Sequence, residues 1–149
     1  MAINRVDAEK DIAVAPDVLY RTLADYNSRP RWLPPNFGDY VVEKGGNGAG
    51  TTVRYVLKAG NRERMYHMDV TALQPGSSLR ESDIGSSLTT TWTVDPSGSG
   101  SRVRVHTEWQ GAGGIGGFFE RLFAPAALKR VYDDALARLD RYARQVSAG

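Results

Sequence analysis

The chain has 149 residues, 41% of them hydrophobic and 24% charged, with a formal net charge of +2 and no cysteine. One domain of ordinary globular composition fits these numbers, so residues 1–149 are expected to share one core; disorder is excluded, and so are a disulfide framework, a thiolate nucleophile and a thiolate-held metal or iron–sulfur centre. No run approaches the roughly 20 apolar residues of a membrane span and the charged N-terminus lacks a signal peptide's apolar stretch, so the expectation is a soluble, cytoplasmic protein without an integral membrane segment.

From Ile3 to Val14, Val6, Ala8, Ile12 and Val14 share one parity while Arg5, Asp7, Glu9 and Asp11 share the other, which predicts a strand with one wet face. Pro16 and Asp17 suit a first helical turn, and Leu19, Leu23 and Tyr26 extend a short helix over residues 16–26. Ser28 can cap a second short helix carrying Trp32 and Leu33, stopped by Pro34-Pro35. Six strands are then predicted, over Phe37–Glu43, Thr51–Lys58, Arg64–Leu73, Leu79–Ile84, Leu88–Val94 and Arg102–Gln110. Short loops rich in glycine, proline, asparagine and serine separate them, which implies an antiparallel meander. Beyond Gly111 the period becomes helical, with Ile115, Phe118, Phe119, Leu122 and Phe123 on one face. After Pro125 a helix from Ala126 to Val146 is long enough, at about 30 Å, to cross a whole sheet.

The order strand, two short helices, six strands, long helix is that of an α+β domain in which a curved antiparallel sheet wraps a helix. A curved sheet and a cylinder leave a gap, which is the expected pocket. Three stretches carry a family resemblance: 12–19 (IAVAPDVL), 25–34 (DYNSRPRWLP) and 113–122 (GGIGGFFERL). They resemble the entry to the first helix, the D-Y-x-x-x-P-x-W-x-P segment and the entry to the last helix of the START/Bet v 1-like (SRPBCC) superfamily. The nearest likeness is to its bacterial polyketide cyclase/dehydrase and lipid-transport group. The resemblance implies the helix-grip fold: a seven-stranded curved sheet around the long C-terminal helix, with two short helices after the first strand. It also implies a cavity for an apolar or aromatic small molecule, without naming a reaction.

Several candidates for chemistry can be weighed. Gly111 to Gly116 satisfies G-x-G-x-x-G between a strand and a helix, but the parallel strand and ribose-binding acid of a dinucleotide fold have no place to follow. A hinge for the last helix, able to gate the cavity, is the better reading. His67 and His106 share parity with polar neighbours and should face water, and neither metal-ligand spacing nor a serine-hydrolase motif is present. No metal and no cofactor is therefore expected. The arginines are scattered, with no basic stripe, so no nucleic-acid partner is expected; a patch assembled only on folding is the alternative.

Leu79, Glu81 and Asp83 share a parity, which would send Glu81 into the cavity and Asp83 toward its rim. A desolvated carboxylate there could act as general acid or base; the alternative is that both acids reach solvent or pair with Arg80 or Arg64. Lys10 lies on the inward parity of the first strand, where it could hold a carboxylate or enolate, or snorkel out at an edge. The aromatic and apolar set is the broadest site candidate: Val53, Tyr55, Tyr66, Met68, Trp92, Val105 and Trp109 from the strands face Phe118, Leu122 and Phe123, with Trp32 and Phe37 at the mouth. A small hydrophobic ligand of polyketide, lipid or isoprenoid type is the expected partner. The alternative is an aromatase/cyclase-like enzyme catalysing aldol cyclisation and dehydration, with Glu81 as the catalytic acid or base, Tyr55 and Tyr66 orienting ketones and Lys10 steadying an enolate.

Overall fold

The computed structural model describes residues 3–110 and 123–148. Strand β1 (Ile3–Ile12) is followed by helix α1 (Pro16–Ala24), a 3₁₀ turn (Arg29–Arg31) and strands β2 (Phe37–Lys44), β3 (Thr52–Ala59), β4 (Arg62–Gln74), β5 (Ser78–Asp83), β6 (Thr89–Ser97) and β7 (Gly100–Gln110). Helix α2 (Pro125–Ala148) closes the described chain. The strands form one antiparallel sheet in the order β1-β7-β6-β5-β4-β3-β2. Each strand from β2 to β6 pairs with its successor, and β1 lies at the far edge in register with β7, from Ile3 opposite Gln110 to Ile12 opposite Ser101. The helix-grip architecture is thus present.

Period-two alternation makes the sheet amphipathic. Val103, Val105, Thr107 and Trp109 of β7 are buried, as are Val53, Tyr55 and Leu57 of β3, while Arg102 and Arg104 are exposed. Helix α2 offers the matching stripe: Leu128, Val131, Tyr132, Ala135, Leu136, Leu139 and Ala143 recur in steps of three and four and are all buried. Pro125 opens this helix, where its missing amide proton costs nothing. No helix among the described residues is long and apolar enough to cross a membrane.

Between β1 and β2 the chain is held by polar bonds. Asp25 ends α1 and accepts from the Ser28 hydroxyl at 2.7 Å and the Ser28 amide at 3.3 Å. Ser28 therefore turns back toward Asp25 and makes no capping bond to the 3₁₀ turn, unlike the cap predicted for a second helix. The 45–48 loop docks on this corner: the Tyr26 amide donates to the Gly46 carbonyl at 2.9 Å. Gly46 has φ +137°, and a Cβ there would lie 2.3 Å from the Asn27 amide nitrogen, so only glycine fits without rearrangement. This corner sets the 3₁₀ turn over the concave face of the sheet.

Candidate functional site

A small internal cavity lies between the sheet and α2, lined by Arg29 and Leu33 from the turn region, Phe37, Tyr40, Val53, Tyr55, Glu81, Thr90 and Trp92 from the sheet, and Tyr132 from α2. Its volume is about 20 Å³, room for about one water molecule. Two aromatic runs frame it. Tyr40 stacks on Tyr55 at 6.1 Å between centroids, and Tyr55 continues to Tyr66 at 6.0 Å and from there to Phe123 at 6.2 Å. Opposite, Trp32 meets Trp92 edge-on at 5.9 Å, and Trp92 meets Tyr132 at 6.5 Å. Such contacts add roughly 0.5–1.5 kcal/mol each to the burial of the rings.

The polar part of the lining is an ion pair. Arg29 Nη1 donates to Glu81 Oε2 at 2.8 Å, and both side chains are almost fully buried. Arg29 Nε and Nη2 donate to the Leu23 carbonyl at 3.1 and 2.9 Å, so the last turn of α1 fixes the guanidinium. Its central carbon lies 4.0 Å from the Tyr26 ring centre, 5.1 Å from that of Trp92 and 5.5 Å from that of Trp32. The Tyr26 hydroxyl also donates to Glu81 Oε2, at 2.8 Å. Burial alone works against the charge on Arg29, but the pull of Tyr26 and Glu81 outweighs it and raises its pKa. Burial pushes the Tyr26 hydroxyl well above its ordinary range, Arg29 opposing and Glu81 adding to the effect. Tyr55 is likewise pushed well up, first by burial and then by the Glu81 charge.

A second polar group lies beside the first. Thr90 stands opposite Glu81 in the β5–β6 register; its hydroxyl is 2.8 Å from that of Thr107, which is 2.6 Å from the Tyr132 hydroxyl. Trp92 Nε1 is buried without an acceptor, and the three bonds of Arg29 leave guanidinium hydrogens over. Both bonds to Glu81 fall on Oε2, so Oε1 is not engaged by either. The cavity therefore combines rings with spare donors and one carboxylate oxygen, a composition suited to an apolar molecule bearing oxygen.

Parity places Glu81 inward as expected, but its partner is Arg29, neither Arg80 nor Arg64. Asp83 is buried and accepts from the His67 amide at 2.9 Å and the Ser86 hydroxyl at 2.6 Å, tying the β5–β6 turn. Phe37, Val53, Tyr55, Glu81 and Trp92 are brought together around the cavity. Trp32, Tyr66, Met68, Val105, Trp109 and Phe123 are buried in the surrounding core and do not line it. Phe118 and Leu122, with the Gly111–Gly116 hinge segment, lie outside the described residues. Lys10 does not line the cavity; it is half-exposed, with Nζ 3.8 Å from Asp140 on α2, because the edge position of β1 lets its stem reach round to that acid. His67 and His106 sit on the outer face, 2.6 Å from Glu43 and Asp7. Sequence reasoning missed Arg29, Leu33, Tyr40, Thr90 and Tyr132. Arg29 was discoverable in principle, since an inward Glu81 demands a buried cation.

The sequence matches the family described as polyketide cyclase/dehydrase and lipid transport over residues 4–144. The solution structure of KanY protein is 35% identical, with TM-score 0.84, covering 97% of this chain and 99% of that one. The Zhui aromatase/cyclase from Streptomyces sp. R1128 is 15% identical, with TM-score 0.72, covering 97% and 95%. Major latex-like protein 151 of Panax ginseng is 12% identical, with TM-score 0.74, covering 94% and 97%. The last two share the fold. Among curated proteins no relative matches.

Proposed function

Since the chain belongs to the polyketide cyclase/dehydrase and lipid-transport family, we propose that it binds a small, oxygen-bearing hydrophobic molecule of polyketide, lipid or isoprenoid type between the sheet and α2. The observation that carries this reading is the aromatic lining around the buried Arg29–Glu81 pair. Apolar walls supply affinity by burying ligand surface. Arg29 and the free Trp92 N–H orient a carbonyl or hydroxyl oxygen, and Glu81 Oε1 accepts a ligand hydroxyl. The space of about 20 Å³ is too small for such a molecule, so binding requires the walls to part, with Leu33, Phe37 and Tyr40 of the lining moving outward.

Native mass spectrometry of freshly purified protein, followed by extraction, tests this directly. Uncharged phenylnaphthylamine provides a second test: it should bind with enhanced fluorescence, and Val53→Phe, which fills the cavity, should abolish the signal. Phenylnaphthylamine binding unchanged by Val53→Phe would remove the site from this cavity.

The Arg29–Glu81 pair also favours a second, catalytic reading. Glu81 Oε1 would take a proton from the carbon beside a ketone, and Arg29 would stabilise the enolate oxygen that forms, before attack on a second carbonyl and loss of water. Arg29 replaces Lys10 in that role, because Lys10 is engaged with Asp140. Cyclised product formed at an undiminished rate by Glu81→Gln would dispose of the acid–base version and leave binding alone.

A further inference from the structure

On the outer side of Trp32 lies a second cleft of about 180 Å³, between the 3₁₀ turn and the C-terminal half of α2, lined by Arg31, Trp32, Arg138, Arg141, Tyr142 and Gln145. We propose that this cleft binds the phosphate group of a phosphate monoester.

Helical spacing of three and four puts Arg138, Arg141 and Gln145 on one face of α2, and the 3₁₀ turn brings Arg31 across from them. Two other cations of this helix are matched to acids one turn away, Lys129 to Asp133 and Arg144 to Asp140. Arg141 is not, because its neighbours four positions away are Ala137 and Gln145. Neither Arg31 nor Arg141 has an acidic partner among the described residues. Arg138 meets Asp134 through Nε at 3.1 Å, a bond that leaves its two Nη groups. Three guanidiniums around one cleft repel one another until an anion sits between them.

Trp32 forms part of the cleft wall. Trp32 is 2% exposed, and its indole Nε1 has no hydrogen-bond acceptor. Buried indole N–H groups ordinarily find one. The Trp32 ring lies under the cleft, so its indole N–H is a reporter for an anion held above it. The donor set discriminates among anions: three guanidiniums and the Gln145 amide exceed what one carboxylate accepts. A phosphate monoester offers three terminal oxygens and roughly −1.5 to −2 charge near neutral pH. The cleft is larger than the group itself, which leaves space for the ester substituent.

The test is a titration of the isotope-labelled protein followed by NMR at the Trp32 indole N–H, at constant ionic strength. Inorganic phosphate and glycerol phosphate are the soluble probes, and phosphatidylcholine vesicles containing phosphatidic acid present the same group on a lipid; chloride is the control. A saturable shift with the soluble probes supports a free ester as ligand, and saturation confined to vesicles supports a lipid headgroup. In either arm the double substitution Arg31→Gln, Arg141→Gln should weaken binding by about tenfold or more, while Arg80→Gln, outside the cleft, should leave it unchanged. No saturation with any phosphate probe, an equal response to chloride, or binding that survives the double substitution overturns the proposal.

Discussion

Arg29 and Arg31 stand two residues apart in one short turn and meet opposite fates. Arg29 points inward, is 3% exposed, and is held by Glu81, the Leu23 carbonyl and the Tyr26 ring. Arg31 points outward to a cleft it shares with Arg138 and Arg141 and has no acidic partner among the described residues. Trp32 lies between the two environments, its ring against Trp92 on one side and the outer cleft on the other. The contrast teaches that a guanidinium becomes part of the framework where burial forces it to find a carboxylate. It stays available to a ligand where water can screen it.

The largest effect should come from breaking the inner pair. Glu81→Gln leaves the buried charge of Arg29 uncompensated and should cost about 3–5 kcal/mol in urea unfolding. Combining Arg29→Met with Glu81→Leu should recover much of that loss, since an apolar pair of similar volume removes both charges. A cost below about 1 kcal/mol for the single change would mean that the pair is not a structural strut, and the comparison with Arg31 would collapse.

An intermediate effect should follow Tyr132→Phe, which removes the hydroxyl bonded to Thr107 and should cost about 1 kcal/mol. It also has a pH signature. Burial pushes the Tyr132 hydroxyl from its ordinary 10.0 up to about 12, although bonds to Thr107 and Thr90 pull the other way. The unfolded chain therefore releases this proton first. The stability tied to the neutral phenol is whole below about pH 10 and is lost as pH rises toward about 12. Unfolding midpoints measured across that window should fall less steeply for Tyr132→Phe than for the unaltered protein.

The smallest effect should be on the outer side. Arg31→Gln and Arg141→Gln should each change stability by no more than about 0.5 kcal/mol, whatever they do to anion binding. A loss of several times that would show that these arginines also hold the fold.

Much of the fold could be read from the chain because alternation and helical spacing are local. The parity of Leu79, Glu81 and Asp83 was enough to turn Glu81 inward, and the stripe from Leu128 to Leu139 was enough to place α2 against the sheet. Less of the site was legible. Ser28 carries the chemistry of a helix cap, yet its hydroxyl goes to Asp25, because the chain must bend sharply where the 45–48 loop docks. Lys10 has inward parity, but an edge strand beside α2 offers it Asp140, an alternative that spacing alone does not reveal.

By itself, then, the sequence determined what repetition can encode: seven strands, the long helix, which faces are apolar, and the family to which these stretches belong. Tertiary structure decided the partners. Arg29 and Glu81 are 52 positions apart, and Thr107 and Tyr132 are 25 apart. Arg31 joins Arg138 and Arg141 only because the turn is folded against the far end of α2. Hydrogen bonds and ion pairs act over a few ångströms in space, and periodicity in a chain carries no record of which distant segments will come that close.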